Sequence, residues 1–88
     1  MAYVFTEDEF NAIDKLCSIS KLTDGGFYIM QDEEGDFFED NGIRLSLEEG
    51  LFTLADSVMM EDFVEDGSFS QEEMDIVLDV FDRFGIQY

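Results

Sequence analysis

Residues 27–46 read FYIMQDEEGDFFEDNGIRLS, and this stretch decides the fold class of the chain. Two β-prone, aromatic-rich runs at 27–31 and 36–40 flank an acidic turn that ends in glycine. The Asn-Gly pair at 41–42 is a strong tight-turn signal before a third short apolar run at 43–45. The stretch therefore predicts an antiparallel sheet of two to three strands.

The sequence contains helix-start signals before and after this predicted sheet. Thr6 and Glu9 have the spacing of a capping box, in which each residue satisfies a backbone N–H near the other, and they predict a helix over 7–19. The same Ser-x-x-Glu spacing at 46–49 predicts a second helix that reaches about residue 60. Gly50 weakens that second helix by roughly 1 kcal/mol relative to alanine.

A third helix is predicted near the end of the chain, after a loop through 66–67. Ser70 and Glu73 form its capping box, and Gly85 is a typical helix stop. Ile86 is placed to pack back on Phe81 in a Schellman-type ending. We therefore expect a single α+β domain over residues 1–88, with a small antiparallel sheet packed on three helices in the order α-β-β-(β)-α-α.

Composition sets the broad class of the protein. Aspartate and glutamate number 23 against four lysines and arginines, which gives a formal net charge of −19. A hydrophobic fraction of 45% with ten phenylalanines is ample for one small core, so we do not expect disorder. Nucleic acid and anionic membranes attract lysine and arginine, so neither is expected as a direct partner.

The residue types needed for catalysis are scarce. The chain has no histidine, which removes the usual base near neutral pH and the commonest transition-metal ligand. Cys17 is the only cysteine, so no disulfide within the chain is expected. We expect neither an enzyme nor a cofactor or metal centre. No apolar run approaches a membrane span and the N-terminus does not resemble a signal peptide, which favours a cytoplasmic location.

Residues 62–73 read DFVEDGSFSQEE and resemble an EF-hand calcium loop. Asp62 falls at the first loop position, the central Asp-Gly at the fifth and sixth, and Glu73 at the twelfth. Val64 departs from the pattern at the third position because it offers no side-chain oxygen. The capping box at Ser70 also explains part of the spacing without a metal. A calcium-binding module with weak affinity therefore stays open as an alternative function.

A second short resemblance involves residues 55–58, which read ADSV. They are similar to the Asp-Ser-Leu attachment site of acyl carrier proteins, whose serine carries phosphopantetheine. Ser57 falls inside a predicted helix and the predicted strands do not suit an all-helical carrier. The alternative interpretation is that these residues are the solvated face of the second helix.

Carboxylates are arranged in a row on the third predicted helix. Positions i, i+3, i+7 and i+10 of this row lie on one side of a helix, opposite its apolar stripe. The row consists of Glu72, Asp75, Asp79 and Asp82. Further acidic clusters lie in the predicted turns, on the second predicted strand and in the loop before the third helix: Asp32, Glu33, Glu34, Asp36, Glu39, Asp40, Glu61, Asp62, Glu65 and Asp66.

In size, charge, carboxylate rows and lack of catalytic groups, the chain resembles the small acidic DNA-mimic proteins that phages and mobile elements use against host defences. This class includes anti-restriction and some anti-CRISPR proteins, and no sequence motif defines it. The resemblance implies an inhibitor that occupies the basic groove of a DNA- or RNA-binding protein, such as a nuclease, CRISPR effector, repressor or histone-like protein. Such a protein is expected to be a monomer or homodimer. An acidic adaptor within a larger assembly is a further alternative, as is acidity imposed by a saline host.

Overall fold

The structure, a computed structural model, describes residues 4–88 and contains four α-helices and a three-stranded sheet in that range. The elements are α1 (Glu7–Ile19), β1 (Phe27–Asp32), β2 (Gly35–Asp40), β3 (Ile43–Leu45), α2 (Leu47–Ser57), α3 (Met60–Glu65) and α4 (Gln71–Phe84). A short 3-10 turn at Thr23–Gly25 joins α1 to β1. The predicted α+β class and order are confirmed, with α3 as an additional helix.

Capping boxes begin α1 and α4, as predicted. The Thr6 hydroxyl accepts a hydrogen bond from the Glu9 N–H at 3.1 Å, and the Glu9 carboxylate accepts one from the Thr6 N–H at 2.9 Å. Ser70 and Glu73 make the same reciprocal pair at 3.0 Å each way. These bonds satisfy backbone donors that have no partner inside the helix, so both helices start where the sequence predicts.

The prediction for α2 is right about its start after Ser46 and wrong about its end, and its capping box is only half formed. Ser46 accepts from the Glu49 N–H at 3.2 Å, but its hydroxyl binds the Glu49 carboxylate, so the reciprocal half of the box is missing. The helix ends at Ser57 rather than near residue 60, because Val58 adopts an extended backbone. Val58 and Met60 are both buried while Met59 is exposed. This alternation suits an extended pair and not a continuous helix.

The sheet is an antiparallel meander in the order β1-β2-β3. β1 and β2 pair from Phe27 opposite Asp40 to Asp32 opposite Gly35. The turn into β3 has positive φ at Asn41 and Gly42, as the Asn-Gly signal requires. Both predicted hairpins are therefore confirmed.

One face of the sheet packs on the helices to form the core. Phe27, Ile29 and Phe38 point inward from the sheet, and α1 lies against both α4 and β1. Gly50 of α2 faces Phe38 so closely that a Cβ there would lie 2.1 Å from the ring. The glycine therefore lets α2 approach the sheet. This close approach explains why a glycine stands inside the helix, although glycine is a poor helix former.

The C-terminal end of α4 closes as predicted. Gly85 has a φ of +69°, and the Ile86 N–H donates to the Phe81 carbonyl at 2.9 Å. The Gly85 N–H donates to the Asp82 carbonyl at 3.2 Å. These two bonds are the Schellman pattern, which satisfies the last carbonyls of the helix. No helix within residues 4–88 is both long and apolar enough to cross a membrane.

Candidate partner-binding surface

The four carboxylates of the predicted row all lie exposed on α4. At 3.6 residues per turn they fall within an arc of about 80° around the helix axis. Val77 and Phe81 lie on the opposite side of the helix and are fully buried. The exposed row is Glu72, Asp75, Asp79 and Asp82. We refer to it below as the α4 row.

Three members of the α4 row have local hydrogen-bond partners. Asp75 accepts from the Gln71 side-chain amide at 3.0 Å, and Asp82 accepts from the Tyr88 hydroxyl at 3.2 Å. Asp79 forms an i,i+4 ion pair with Arg83 at 3.3 Å. The row therefore keeps most of its negative charge, because only Asp79 has a cationic neighbour among the contacts of residues 4–88.

The β1–β2 turn carries three carboxylates with different roles. Asp32 accepts hydrogen bonds from the backbone N–H groups of Glu34 and Gly35 at 2.8 and 3.2 Å, and these bonds stabilise the turn. Glu33 and Glu34 are exposed at its tip. Arg44 lies 3.5 Å from Asp32 and 3.9 Å from Glu34, which offsets part of the charge here.

Asp36 does not belong to the exposed surface. It is buried, and one of its oxygens accepts from the backbone N–H groups of Val4 and Phe5 at 2.9 Å each. The other oxygen accepts from the Gln31 amide at 2.8 Å. This carboxylate anchors the N-terminal segment to the sheet. The predicted partner-binding set is therefore wrong at Asp36. Asp36 lies two residues before the buried Phe38 on β2, so it shares the face of the strand that packs on the core.

The other carboxylates of β2 lie at the end of this central strand. Glu39 and Asp40 are half-buried, and Glu39 stands opposite Arg44 in the β2–β3 register. Asp40 accepts from the Asn41 side-chain amide at 2.9 Å. Both are less available to a partner than the α4 row.

The carboxylates around α3 are exposed. Glu61, Asp62 and Glu65 lie on the helix itself, and Asp66 follows it. Asp66 accepts from the Ser68 N–H at 2.8 Å, and hydrogen bonds from Ser68 lower the pKa of Asp66. This group forms a second exposed acidic area beside α4.

The segment that resembles a calcium loop is split between elements. Asp62 lies within α3, and Glu73 lies in the first turn of α4. Glu73 also accepts a hydrogen bond from Lys15 at 2.9 Å, and this bond is the main reason that the pKa of Glu73 is lowered. Within the described range 4–88, no three acidic or cysteine side chains are grouped so that they could hold a metal ion.

Cys17 lies in the core rather than at the surface. It is fully buried on α1, and desolvation raises the pKa of its thiol to about 12. A thiolate is the reactive form of cysteine. The side chain therefore acts as a small apolar core residue.

Exposed apolar side chains form the part of the surface that sequence reasoning missed. Tyr88 is 62% exposed, whereas Phe63 is half-buried against the core. Met59 is 74% exposed and Phe52 62% exposed, although both continue apolar runs in the sequence. The early end of α2 exposes Met59, and helical periodicity alone does not predict that break.

Comparison of the chain with protein-family models, with curated proteins and with solved structures finds no match in any of the three.

Proposed function

We propose that the protein is a stoichiometric inhibitor that mimics DNA and occupies the basic nucleic-acid-binding surface of another protein. On this proposal, carboxylates take the place of phosphates and the inhibitor acts by competition rather than by catalysis. As an anti-defence protein it would act in the cytoplasm of a bacterial host, against a target such as a nuclease or a CRISPR effector.

The observation that carries the proposal is the α4 row. Its first and last members are ten residues apart, which corresponds to about 15 Å along the helix axis at roughly 1.5 Å per residue. Four charges over that length approach the density of one DNA strand, which has a phosphate roughly every 3.4 Å. The row is rigid because α4 is capped at both ends and packed on α1.

The distribution of positive charge also supports the proposal. Lys15, Arg44 and Arg83 each lie within an ion pair on the described part of the chain. Solubility needs a net charge of only about 2 to 8 in magnitude in a small domain. The much larger charge of −19 repels itself and opposes folding, so it calls for a function that requires it.

The test is competition for a basic DNA-binding protein. The protein is used as bait in a bacterial lysate at low and at high salt, and the captured proteins are then challenged with duplex DNA. We expect a DNA-binding protein that is released both by salt and by DNA, because ionic contacts to the same groove hold both ligands. Capture of a partner that duplex DNA does not displace would favour an adaptor instead.

A charge-matched pair of variants then tests the surface itself. The first variant neutralises the α4 row through Glu72→Gln, Asp75→Asn, Asp79→Asn and Asp82→Asn. The control neutralises four exposed carboxylates elsewhere through Glu7→Gln, Asp14→Asn, Asp24→Asn and Glu48→Gln. Asp8 is left out of the control because it lines a shallow recess together with Glu72.

We expect the α4-row variant to lose most of its affinity and to show a shallower salt dependence, whereas the control keeps most of its binding. Equal losses of affinity in the two variants would mean that the partner responds to the total negative charge of the protein and not to the α4 row. No loss in either would overturn the proposal and favour solubility or a saline host as the cause of the acidity.

A further inference from the structure

An open groove of about 520 Å³ lies between α4 and the corner where α2 meets α3. Its volume is within the roughly 300–1,000 Å³ of ordinary ligand sites. Apolar side chains make most of its floor and walls: Ala55, Val58, Met59, Met60, Met74 and Leu78. Tyr88 closes one side of the groove.

Methionine is concentrated in this groove. Three of the five methionines of the chain line it, namely Met59, Met60 and Met74. Methionine is unbranched, flexible and polarizable, and surfaces rich in it adapt to apolar side chains of different shape. Met59 in particular is 74% exposed, so its burial by a partner would remove apolar surface from water.

The groove has carboxylates on both sides. Asp56, Glu61 and Asp62 line it from α2 and α3. On the other side, the α4 row runs next to Leu78, since Asp75 and Asp82 lie three residues before it and four after it. Tyr88 joins the two features, because it lines the groove and donates its hydroxyl to Asp82. No lysine or arginine of the described chain lines the groove.

We propose that this groove binds a basic segment of the target protein, with large apolar side chains of that segment in the groove and flanking lysines or arginines on the two acidic sides. The proposal rests on the proposed function, to which it adds a short-range anchor beside the α4 row. A second copy of this chain would bring another −19 charge to the same acidic sides, and a fatty acid would bring its own negative charge. Both are therefore poorer occupants than a cationic segment.

Two synthetic peptides of equal length and charge serve as probes. One carries leucines at positions i, i+3, i+4 and i+7 with lysines between them, so that a helix places the two residue types on opposite faces, and the other has serine in place of leucine. We expect titration calorimetry to show that the lysine–leucine peptide binds at least about tenfold more tightly. A tenfold difference in affinity corresponds to about 1.4 kcal/mol, and the burial of several leucines contributes more than that.

Methyl resonances of the methionines locate the binding. We expect the signals of Met59, Met60 and Met74 to shift with the lysine–leucine peptide and much less with the lysine–serine peptide. Met30 is an internal control, because it lies on the outer face of β1 outside the groove. Shifts of Met30 as large as those of the groove methionines would overturn the proposal.

Two single substitutions complete the test. Met59→Gln replaces an exposed groove side chain with a polar one of similar length, and Ile43→Gln does the same at a site that is 66% exposed on β3. We expect Met59→Gln to weaken binding of the lysine–leucine peptide about fivefold, since roughly 1 kcal/mol of apolar burial is lost. Binding of the lysine–serine peptide should stay unchanged. Ile43→Gln should change neither.

The outcomes separate this inference from the function on which it rests. If both peptides bind equally well, with the same salt dependence, the groove proposal is overturned while recognition of basic partners survives. If neither peptide binds, both proposals fail. If the lysine–leucine peptide binds more tightly but Met59→Gln and Ile43→Gln weaken it equally, the apolar contact lies elsewhere and the groove assignment is wrong.

Discussion

The two sides of α4 have different surroundings. On the side that faces α1, Lys15 binds Glu73, and Arg83 binds Glu9 of α1 as well as Asp79. On the side that faces α2 and α3, the groove is lined by apolar side chains, among which Met59 is 74% exposed, and by carboxylates, without a cation in the described chain. The same helix is thus tied into the fold on one side and presents an uncompensated surface on the other.

This difference separates carboxylates that hold the fold from those that are available to a partner. Glu9, Asp36 and Glu73 each accept hydrogen bonds from distant parts of the chain, and their removal should cost stability. Within residues 4–88, the hydrogen bonds of the α4 row are local, along its own helix and the C-terminal segment. Neutralising it should change binding rather than folding. Changes of carboxylates and of salt test this division, and a change at Gly50 tests the packing that positions α2; the largest expected effect comes first.

The largest expected loss of stability comes from Asp36→Ala. The substitution leaves the N–H groups of Val4 and Phe5 and the Gln31 amide without their acceptor, so we expect the free energy of unfolding to fall by about 3 kcal/mol or more. Asp36→Asn should lose less, because one oxygen still accepts from the two N–H groups. Urea denaturation of both variants provides the measurement.

Asp75→Ala is the matched control for this contrast. Its carboxylate is exposed in the middle of α4, and we expect a change within about 0.5 kcal/mol. Equal effects of Asp36→Ala and Asp75→Ala would remove the distinction between carboxylates that hold the fold and those that face solvent.

Gly50→Ala should cost about 1–3 kcal/mol of stability, because the new Cβ would lie 2.1 Å from the buried Phe38 ring and α2 must move away from the sheet. Helix propensity alone predicts a gain of roughly 1 kcal/mol for the same change. Gly25→Ala is the control, since nothing lies within 4 Å of its added Cβ. Thermal unfolding that shows a more stable Gly50→Ala protein would mean that α2 does not pack closely on the sheet.

Monovalent salt should stabilise the protein by about 1 kcal/mol, or about 4–8 °C in Tm, between low salt and about 0.5 M. Screening weakens repulsion among the uncompensated carboxylates, and the net charge of −19 makes this repulsion the dominant response to salt. The variant with the neutralised α4 row should respond less. A Tm that stays flat or falls with salt would show that the compensated pairs outweigh the repulsion.

The smallest effect concerns the Glu9–Arg83 pair. The hydrogen bond from Arg83 is the main reason that the pKa of Glu9 lies below its ordinary value of 4.5. Because the pKa of Glu9 is lowered in the folded state, its contribution to stability is present above about pH 4.5 and is lost as the pH falls through the lower folded value. Glu9→Gln should therefore be less stable than the parent at pH 7, by about 0.2–1 kcal/mol.

The stability curves of the two proteins should converge as the pH falls through the lowered folded-state pKa of Glu9, because protonated Glu9 resembles glutamine. Chemical denaturation as a function of pH measures this difference. The control is the same comparison in an Arg83→Gln background, where we expect a smaller pH-dependent difference, because only the hydrogen bonds of Thr6 then lower the pKa of Glu9. A difference that stays undiminished there would assign the effect to the capping contact with Thr6 rather than to the ion pair.

Local signals predicted most of the fold. The caps at Thr6 and Ser70, the Asn-Gly turn at 41–42 and the glycine at position 85 each act within a few residues, so neighbouring residues alone specify them. The α4 row was predictable for the same reason, because the helical repeat places its members on one side whatever the helix packs against.

The sequence by itself therefore determined the element order apart from α3, most element boundaries, the excess of negative charge and the exposed row on α4. Only the tertiary structure decided which carboxylate is buried, where α2 ends and why Gly50 is a glycine. It also brought Met59 and Met60 to Met74, which is distant in sequence, and so formed the groove. These features depend on contacts between residues far apart in the chain, where packing against Phe38 or burial of Val58 outweighs local preference.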